Sequence, residues 1–364
     1  MSHRIDPAFW RGKRVLVTGH TGFKGAWLCQ LLVHLGARVA GLSLPPEQPS
    51  LYTQANIAGL LETSWHQDLT DAARSHELIT GFDPEITFHL AAQSLVRRAH
   101  RRPVETFASN VMGTVNVLEA LRHCSAARTV LVTTTDKVYF NAETGVPFRE
   151  GDRLGSTEPY AASKAAAEMV IAAMRRTFLA ERGIALLSAR AGNVLGGGDW
   201  GEDNLLPDAI RAVMARAPLM IRSPNAVRPW QFVLDVLEGY VLLAERMGKR
   251  LEVAEPEDLA WNFGPPVESG FVTVEQICNW IGQQWPDRFS WHVEADRSGI
   301  KESKLLLLDP AKANRDLGWQ PRHEPHAALR ETLTWYAAFL DGGDARELCR
   351  AQISAHLGSA TVTP

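Results

Sequence analysis

Paired cysteines, long apolar runs, a strong charge of either sign and internal repeats are all missing from this chain. Cys29, Cys124, Cys278 and Cys349 are scattered without C-x-x-C spacing, which excludes a disulfide framework and leaves them as reduced packing residues. None has a neighbouring histidine that would complete a zinc site, so no metal is expected. No apolar stretch approaches the roughly 18 residues of a membrane span, and the N-terminal Met1-Ser-His-Arg-Ile-Asp-Pro7 has no hydrophobic signal core, so a cytoplasmic protein is expected. A net charge of -3 argues against general nucleic-acid binding, which usually needs a basic surface and a high pI. One basic cluster, residues 97–102, is read as a solvated loop or a phosphate contact.

What is present is an ordinary globular composition, 45% hydrophobic and 22% charged over 364 residues. That length suits one large or two fused domains of about 100–200 residues each. Strand-like runs at 14–18, 37–42, 65–69, 85–92, 129–133 and 185–191 alternate with helical patterns, among them 104–123 and one from Tyr160 to about residue 181. Thr157 is the expected N-cap of that last helix and Pro159 its first-turn proline. Alternation of this kind predicts an α/β fold, a doubly wound parallel (Rossmann) sheet. It is assigned to residues 10–192. Residues 193–341 are read mainly as a smaller mixed α/β cap with some chain exchange, and helices are expected near 207–217, 233–247, 274–284, 310–317 and 326–340. The tail, 342–364, is expected to fray.

Gly19-His20-Thr21-Gly22-Phe23-Lys24-Gly25 joins the first strand to the first helix. A glycine-rich turn in this position lets backbone amides approach a pyrophosphate at a helix N-terminus, and Lys24 adds either a phosphate contact or a solvated charge. At the end of the second strand, Leu42-Ser43-Leu44-Pro45 carries neither an acid for ribose hydroxyls nor a base for a 2′-phosphate, so charge leaves NAD against NADP open. Asp68, beside Leu69, is either an adenine contact or the N-cap of a helix beginning near Thr70. Ala91 and Ala92 allow close approach of a cofactor.

The chemistry concentrates in two stretches, Thr133-Thr-Thr135-Asp136-Lys137-Val-Tyr139 and Tyr160-Ala-Ala-Ser-Lys164. Helical spacing puts Tyr160 and Lys164 one turn apart on one face. An ammonium there, with a positively charged nicotinamide, would favour the phenolate and make Tyr160 the base for a substrate hydroxyl that Thr135 also binds. Asp136 and Lys137 are not needed for alcohol oxidation. They are read either as a second proton-transfer pair or as a surface ion pair. Arg228-Pro-Trp230 offers a phosphate donor beside an aromatic ring, Arg190 is read as a core salt bridge or a site residue, and Asn193 and Asn204 are further polar candidates. The tryptophans are taken as packing residues.

These residues resemble the extended short-chain dehydrogenase/reductase family, and within it the nucleotide-sugar 4,6-dehydratases. The resemblance runs from about residue 9 to 336. It rests on Val17-Thr-Gly-His-Thr-Gly-Phe-Lys-Gly25, His89-Leu-Ala-Ala-Gln-Ser-Leu-Val-Arg-Arg98, Asn110-Val-Met-Gly-Thr114, Thr134-Thr-Asp-Lys-Val-Tyr139, Arg190-Ala-Gly-Asn-Val194 with Gly196-Gly-Gly-Asp-Trp200, and Val227-Arg-Pro-Trp-Gln231. It implies tightly held NAD, with Leu90, Gln93, Asn110 and Thr133 joining the glycine turn, Asp68, Leu69, Ala91, Ala92, Tyr160 and Lys164 around it, and Ser94 and Arg97 joining the substrate residues. Lys137, where TDP-sugar enzymes carry glutamate, implies CDP-glucose as substrate. By the same resemblance Tyr160, Lys164 and Thr135 oxidise C4, Lys137 takes the C5 proton, Asp136 protonates the departing C6 hydroxyl, and the chain forms a homodimer, possibly a tetramer. A 4-epimerase would need only the Thr, Tyr and Lys, and a non-catalytic NAD-binding module none of them. Two stretches depart from the family pattern: Trp230-Gln-Phe-Val-Leu-Asp235, where Trp-Gln-His-Val-Leu-Glu is usual, and residues 297–302.

Overall fold

The computed structural model describes residues 4–249, 259–266, 272–295 and 305–358, so the unusual stretch at 297–302 lies outside the described residues. Seven strands form one sheet: β1 (Arg14–Thr18), β2 (Arg38–Ser43), β3 (Thr63–His66), β4 (Ile86–His89), β5 (Thr129–Thr133), β6 (Ala185–Ala191) and β7 (Ala260–Phe263), in the spatial order β7-β6-β5-β4-β1-β2-β3. Every pairing is parallel. Strands covered on both faces read as unbroken apolar runs rather than alternating ones, and every residue of β5 and β6 is buried. The chain runs outward from β1 through β2 to β3, then returns to β4 on the other side of β1. That reversal opens a crevice at the carboxyl ends of β1 and β4, where open α/β sheets take their ligands.

Ten helices carry the argument: α1 (Phe23–His34), α2 (Ala72–Phe82), α3 (Val96–Arg101), α4 (Gly113–Arg122), α5 (Pro159–Met174), α6 (Leu205–Ala215), α7 (Val233–Gly248), α8 (Val274–Gln284), α9 (Pro325–Leu340) and α10 (Ala345–Leu357). The core on one sheet face includes α1 and α7; that on the other includes α2, α4 and α5. Helix α7 is buried along almost its whole length, its acids Asp235, Glu238 and Glu245 included. It comes from the second half of the chain, as does β7, so both halves build the sheet layer.

Three expectations are corrected. Residues 97–102 are not a loop but mostly helix α3, whose Arg98 pairs with Glu47 at 2.6 Å. Glu158, not Thr157, caps α5: its two carboxylate oxygens accept the Tyr160 and Ala161 amides at 2.8 and 2.9 Å. The helix expected over 104–123 is present as a continuous helical run from Pro103 to Arg122 that carries a π turn at Ala108–Met112, ahead of α4. Within the tail, the described residues 342–358 do not fray, because α10 buries Ala345, Cys349, Ile353 and His356 on one stripe, with Asp344 accepting the Glu347 amide at 2.9 Å as its cap. All four cysteines are buried free thiols. Among the described residues no helix is long and apolar enough to cross a membrane.

Candidate functional site

A cleft of about 680 Å³ opens over the carboxyl ends of β1, β4 and β5. The turn after β1 builds its floor. Gly19 has φ +75° and a Cβ there would stand 2.6 Å from the Ala91 backbone nitrogen, while a Cβ on Gly25 would meet the Gly19 carbonyl oxygen at 2.1 Å. Only glycine permits a turn packed this tightly, and the space above it, at the N-terminus of α1, is where backbone amides receive a pyrophosphate. The residues present therefore fit a dinucleotide.

The turn after β5 supplies the chemistry. Thr135, Asp136 and Lys137 line the cleft together with Tyr160 and Lys164 from α5. The Tyr160 hydroxyl is hydrogen-bonded to Thr135, and burial, with Asp136 and Glu158 nearby, pushes its phenol above the usual range. Thr135 Oγ1 donates to Asp136 Oδ1 at 2.9 Å. Asp136 is 1% exposed, its Oδ2 has no partner, and the Lys137 ammonium lies 3.9 Å from Oδ1. The Asp136 carboxylate is buried at the cleft that Tyr160 also lines, while the Lys137 side chain is 27% exposed.

Lys164 Nζ donates to the Thr133 carbonyl at 2.9 Å, and burial, with Lys24 adding like-charge repulsion, brings it down to about 7. An unfolded lysine keeps its proton to about 10.4, so between these two values the folded state holds fewer protons and gains stability as pH rises. Lys164→Met is accordingly expected to raise the melting midpoint of the nucleotide-free protein at pH 7 and below by roughly 2–6 °C, with the gain fading towards pH 10; thermal melts across that range test this.

Behind the reactive residues, Glu168 of α5 accepts from Thr134 Oγ1 at 2.6 Å, Ser188 Oγ at 2.8 Å and Arg190 Nε at 2.8 Å. Arg190 is thus the core salt bridge, not a cleft residue. It ties the ends of β5 and β6 to α5, which fixes Thr135 against Tyr160.

Residues 16–332 match the sequence pattern of the family described as GDP-mannose 4,6 dehydratase. The chain belongs to that dehydratase family, within the extended short-chain dehydrogenases/reductases. It is 40% identical over 363 residues to CDP-glucose 4,6-dehydratase of Salmonella typhimurium, covering 98% of this chain and 99% of that one. It is also similar in fold to an epimerase from Methanothermobacter thermautotrophicus, with a TM-score of 0.77 and 22% identity over 95% of this chain and 96% of that one. An NAD-dependent NDP-hexosamine 5,6-dehydratase of tunicamycin biosynthesis gives a TM-score of 0.73 at 24% identity, covering 90% of this chain and 98% of that one.

For this member of the dehydratase family, most residues singled out in the sequence converge on the cleft, where Gly19, Gly22, Phe23, Lys24, Gly25, Asp68, Leu69, Leu90, Ala91, Ala92, Gln93 and Thr133, expected around the cofactor, and Ser94, Arg97, Asn193, Asn204, Arg228 and Trp230, expected around the substrate, all line the wall. Two do not. His20 does not line the cleft; it is fully buried, packs against Gly41 and bonds Ser64 Oγ at 2.7 Å through Nε2. Asn110, turned inward by the π turn, braces the Gln93 backbone, accepting at 2.7 Å and donating at 2.9 Å, and donates to Ser163 of α5 at 2.8 Å. Trp230 is a wall rather than an exposed stacking platform, being 3% exposed with its indole N–H donated to the Val272 carbonyl at 3.1 Å. Asp68 Oδ1 accepts the Thr70 amide at 2.8 Å, but the cap of α2 is Asp71, which accepts the Arg74 amide at 3.1 Å. Asp199 was missed: it lines the cleft near Lys24, and burial raises it to about 6. The signal for it was Gly196-Gly-Gly-Asp199-Trp200, a stretch quoted in the sequence without a role for its acid.

Proposed function

We propose that this chain converts CDP-D-glucose to CDP-4-dehydro-6-deoxy-D-glucose and water, in the cytoplasm, retaining NAD through each turnover. The observation that carries the reading is Asp136: a buried carboxylate with one unpartnered oxygen, beside the Lys137 amine and in the same cleft as Tyr160. An oxidoreductase or epimerase has no use for that pair. NAD, which the glycine turn from Gly19 to Gly25 would hold, would supply the hydride acceptor for C4 and the hydride donor for C6. Tyr160 accepts the C4 hydroxyl proton while Thr135 holds that oxygen. The resulting ketone acidifies C5–H, Lys137 removes that proton, and Asp136 donates one to the C6 oxygen, which leaves as water; as C6 is reduced, Lys137 returns a proton to C5.

The step needs a protonated Asp136 and a neutral Lys137, and this state holds the same number of protons as an Asp136–Lys137 ion pair. Moving one proton between the two side chains converts one state into the other.

Incubation with CDP-, TDP-, UDP- and GDP-hexoses, read by the alkaline absorbance of a 4-keto sugar and by NMR of C6, tests the reading. CDP-glucose is expected to yield a C6 methyl group. Interconversion at C4 with the 6-hydroxyl intact would establish an epimerase instead. We also propose a homodimer through the face carrying Val104, Phe107, Met112 and Met169, which are 82%, 40%, 51% and 65% exposed. Apolar side chains clustered at one surface mark an association site, and sedimentation as a monomer at micromolar concentration would refute it.

A further inference from the structure

Away from the cleft, the first turn of α7, the segment before α9 and the last turn of α10 bring Asp235, His323 and His356 together. One ligand atom from each lies within 4.8 Å of the others. None of the three lines the cleft, and the dehydratase reading makes no use of them. Asp235 and Phe232 are also where the sequence departs from its family pattern.

The hydrogen bonds around this cluster leave a gap that a cation fills. His356 Nε2 bonds Glu238 Oε2 at 2.9 Å, so with a carboxylate as partner Nε2 carries the proton and Nδ1 presents a bare lone pair. That Nδ1 is buried without a partner and faces Asp235 Oδ1 at 3.9 Å. Two acceptors therefore confront each other across a distance too long for a hydrogen bond. On the other side His323 Nδ1 lies 3.1 Å from both Asp235 oxygens. Nearby, Glu238 pairs with Arg322, whose Nη1 donates to the His356 carbonyl at 2.7 Å.

We propose that Asp235, His323 and His356 bind a divalent transition-metal ion of the zinc type, through the two Nδ1 atoms and one carboxylate oxygen, with water completing the shell. Ligand atoms about 2.0–2.2 Å from one ion sit at most ~4.4 Å apart, so a small inward movement seats all three. The Glu238 carboxylate on the far nitrogen of His356 is the partner that orients a metal-bound histidine and raises its basicity. His356 stands on the last turn of α10, so the ion would staple α10 to α7 and to the segment before α9.

The test uses the full-length, untagged protein. It is dialysed against chelator, titrated with zinc or cobalt(II) chloride, and followed by metal analysis, the visible absorption of cobalt and thermal melting. One equivalent per chain is expected, with a cobalt spectrum of low coordination number and a melting midpoint raised by roughly 5 °C in excess zinc. His323→Gln and His356→Gln are each expected to weaken zinc binding at least tenfold and to abolish the midpoint shift. Should the chelated wild-type protein take up neither metal at micromolar excess and melt unchanged, the proposal fails. That result depends on no variant folding, and it leaves the dehydratase assay untouched.

Discussion

Tyr160→Phe is expected to lower turnover by at least about 100- to 10,000-fold, the usual worth of a positioned proton-transfer group, while the melting midpoint of the protein stays nearly unchanged. The phenylalanine ring keeps the packing of the native side chain and removes only the hydroxyl bonded to Thr135. Burial holds the phenol protonated in the nucleotide-free protein, and neighbouring Asp136 and Glu158 push it the same way. Of the two cations expected from the sequence to favour the phenolate, the lysine one turn away contributes less than its residue type suggests, because burial also strips charge from Lys164. A cation seated above both residues is required to reverse the balance. Keto-sugar formation with the variant, measured beside binding of the dinucleotide by calorimetry, separates lost chemistry from lost binding. Activity within tenfold of the wild type would remove Tyr160 from the role of base.

The sheet was legible because its strands carry the signal of double burial and its glycine turn the signal of close approach. Helix α8 matched its expected bounds because Thr273 and Gln276 form a capping box ahead of an apolar stripe. Strand β7 was not legible. It is four residues long, Ala-Trp-Asn-Phe, with a fully buried Asn262 in its middle, and a polar residue there breaks any apolar run. That asparagine is tolerated because Tyr139 donates to its Oδ1 at 2.6 Å and its Nδ2 donates to the Phe148 carbonyl at 2.8 Å, partners more than a hundred residues distant. Helix α10 carried a visible cue, Ala345, Cys349 and Ile353 at four-residue spacing, but the small and polar residues between them diluted it. The same limit applied in the site. An Asp-Lys dipeptide in a turn looks like a solvated pair, and only the tertiary placement of α5 and of the segment after β6 buries Asp136.

Asp136 and Lys137 are expected to fail differently when replaced one at a time. Asp136→Asn keeps the shape of the side chain but cannot deliver a proton to the C6 oxygen, so loss of water is expected to slow by roughly 100- to 10,000-fold. Oxidation at C4 and removal of the C5 proton remain open to it. In deuterated buffer the recovered sugar nucleotide is therefore expected to gain deuterium at C5 while its C6 hydroxyl stays in place. Lys137→Met removes the base, so it is expected to abolish both the product and the C5 exchange. Wild-type protein is expected to form product carrying one solvent deuterium at C5. NMR of the sugar ring reads all three outcomes from one set of incubations. If Lys137→Met exchanges C5 as fast as Asp136→Asn does, the amine is not the base. If Asp136→Asn forms the C6 methyl at the wild-type rate, the acid lies elsewhere, and Asp199, raised to about 6 at the same cleft, becomes the next carboxyl to replace.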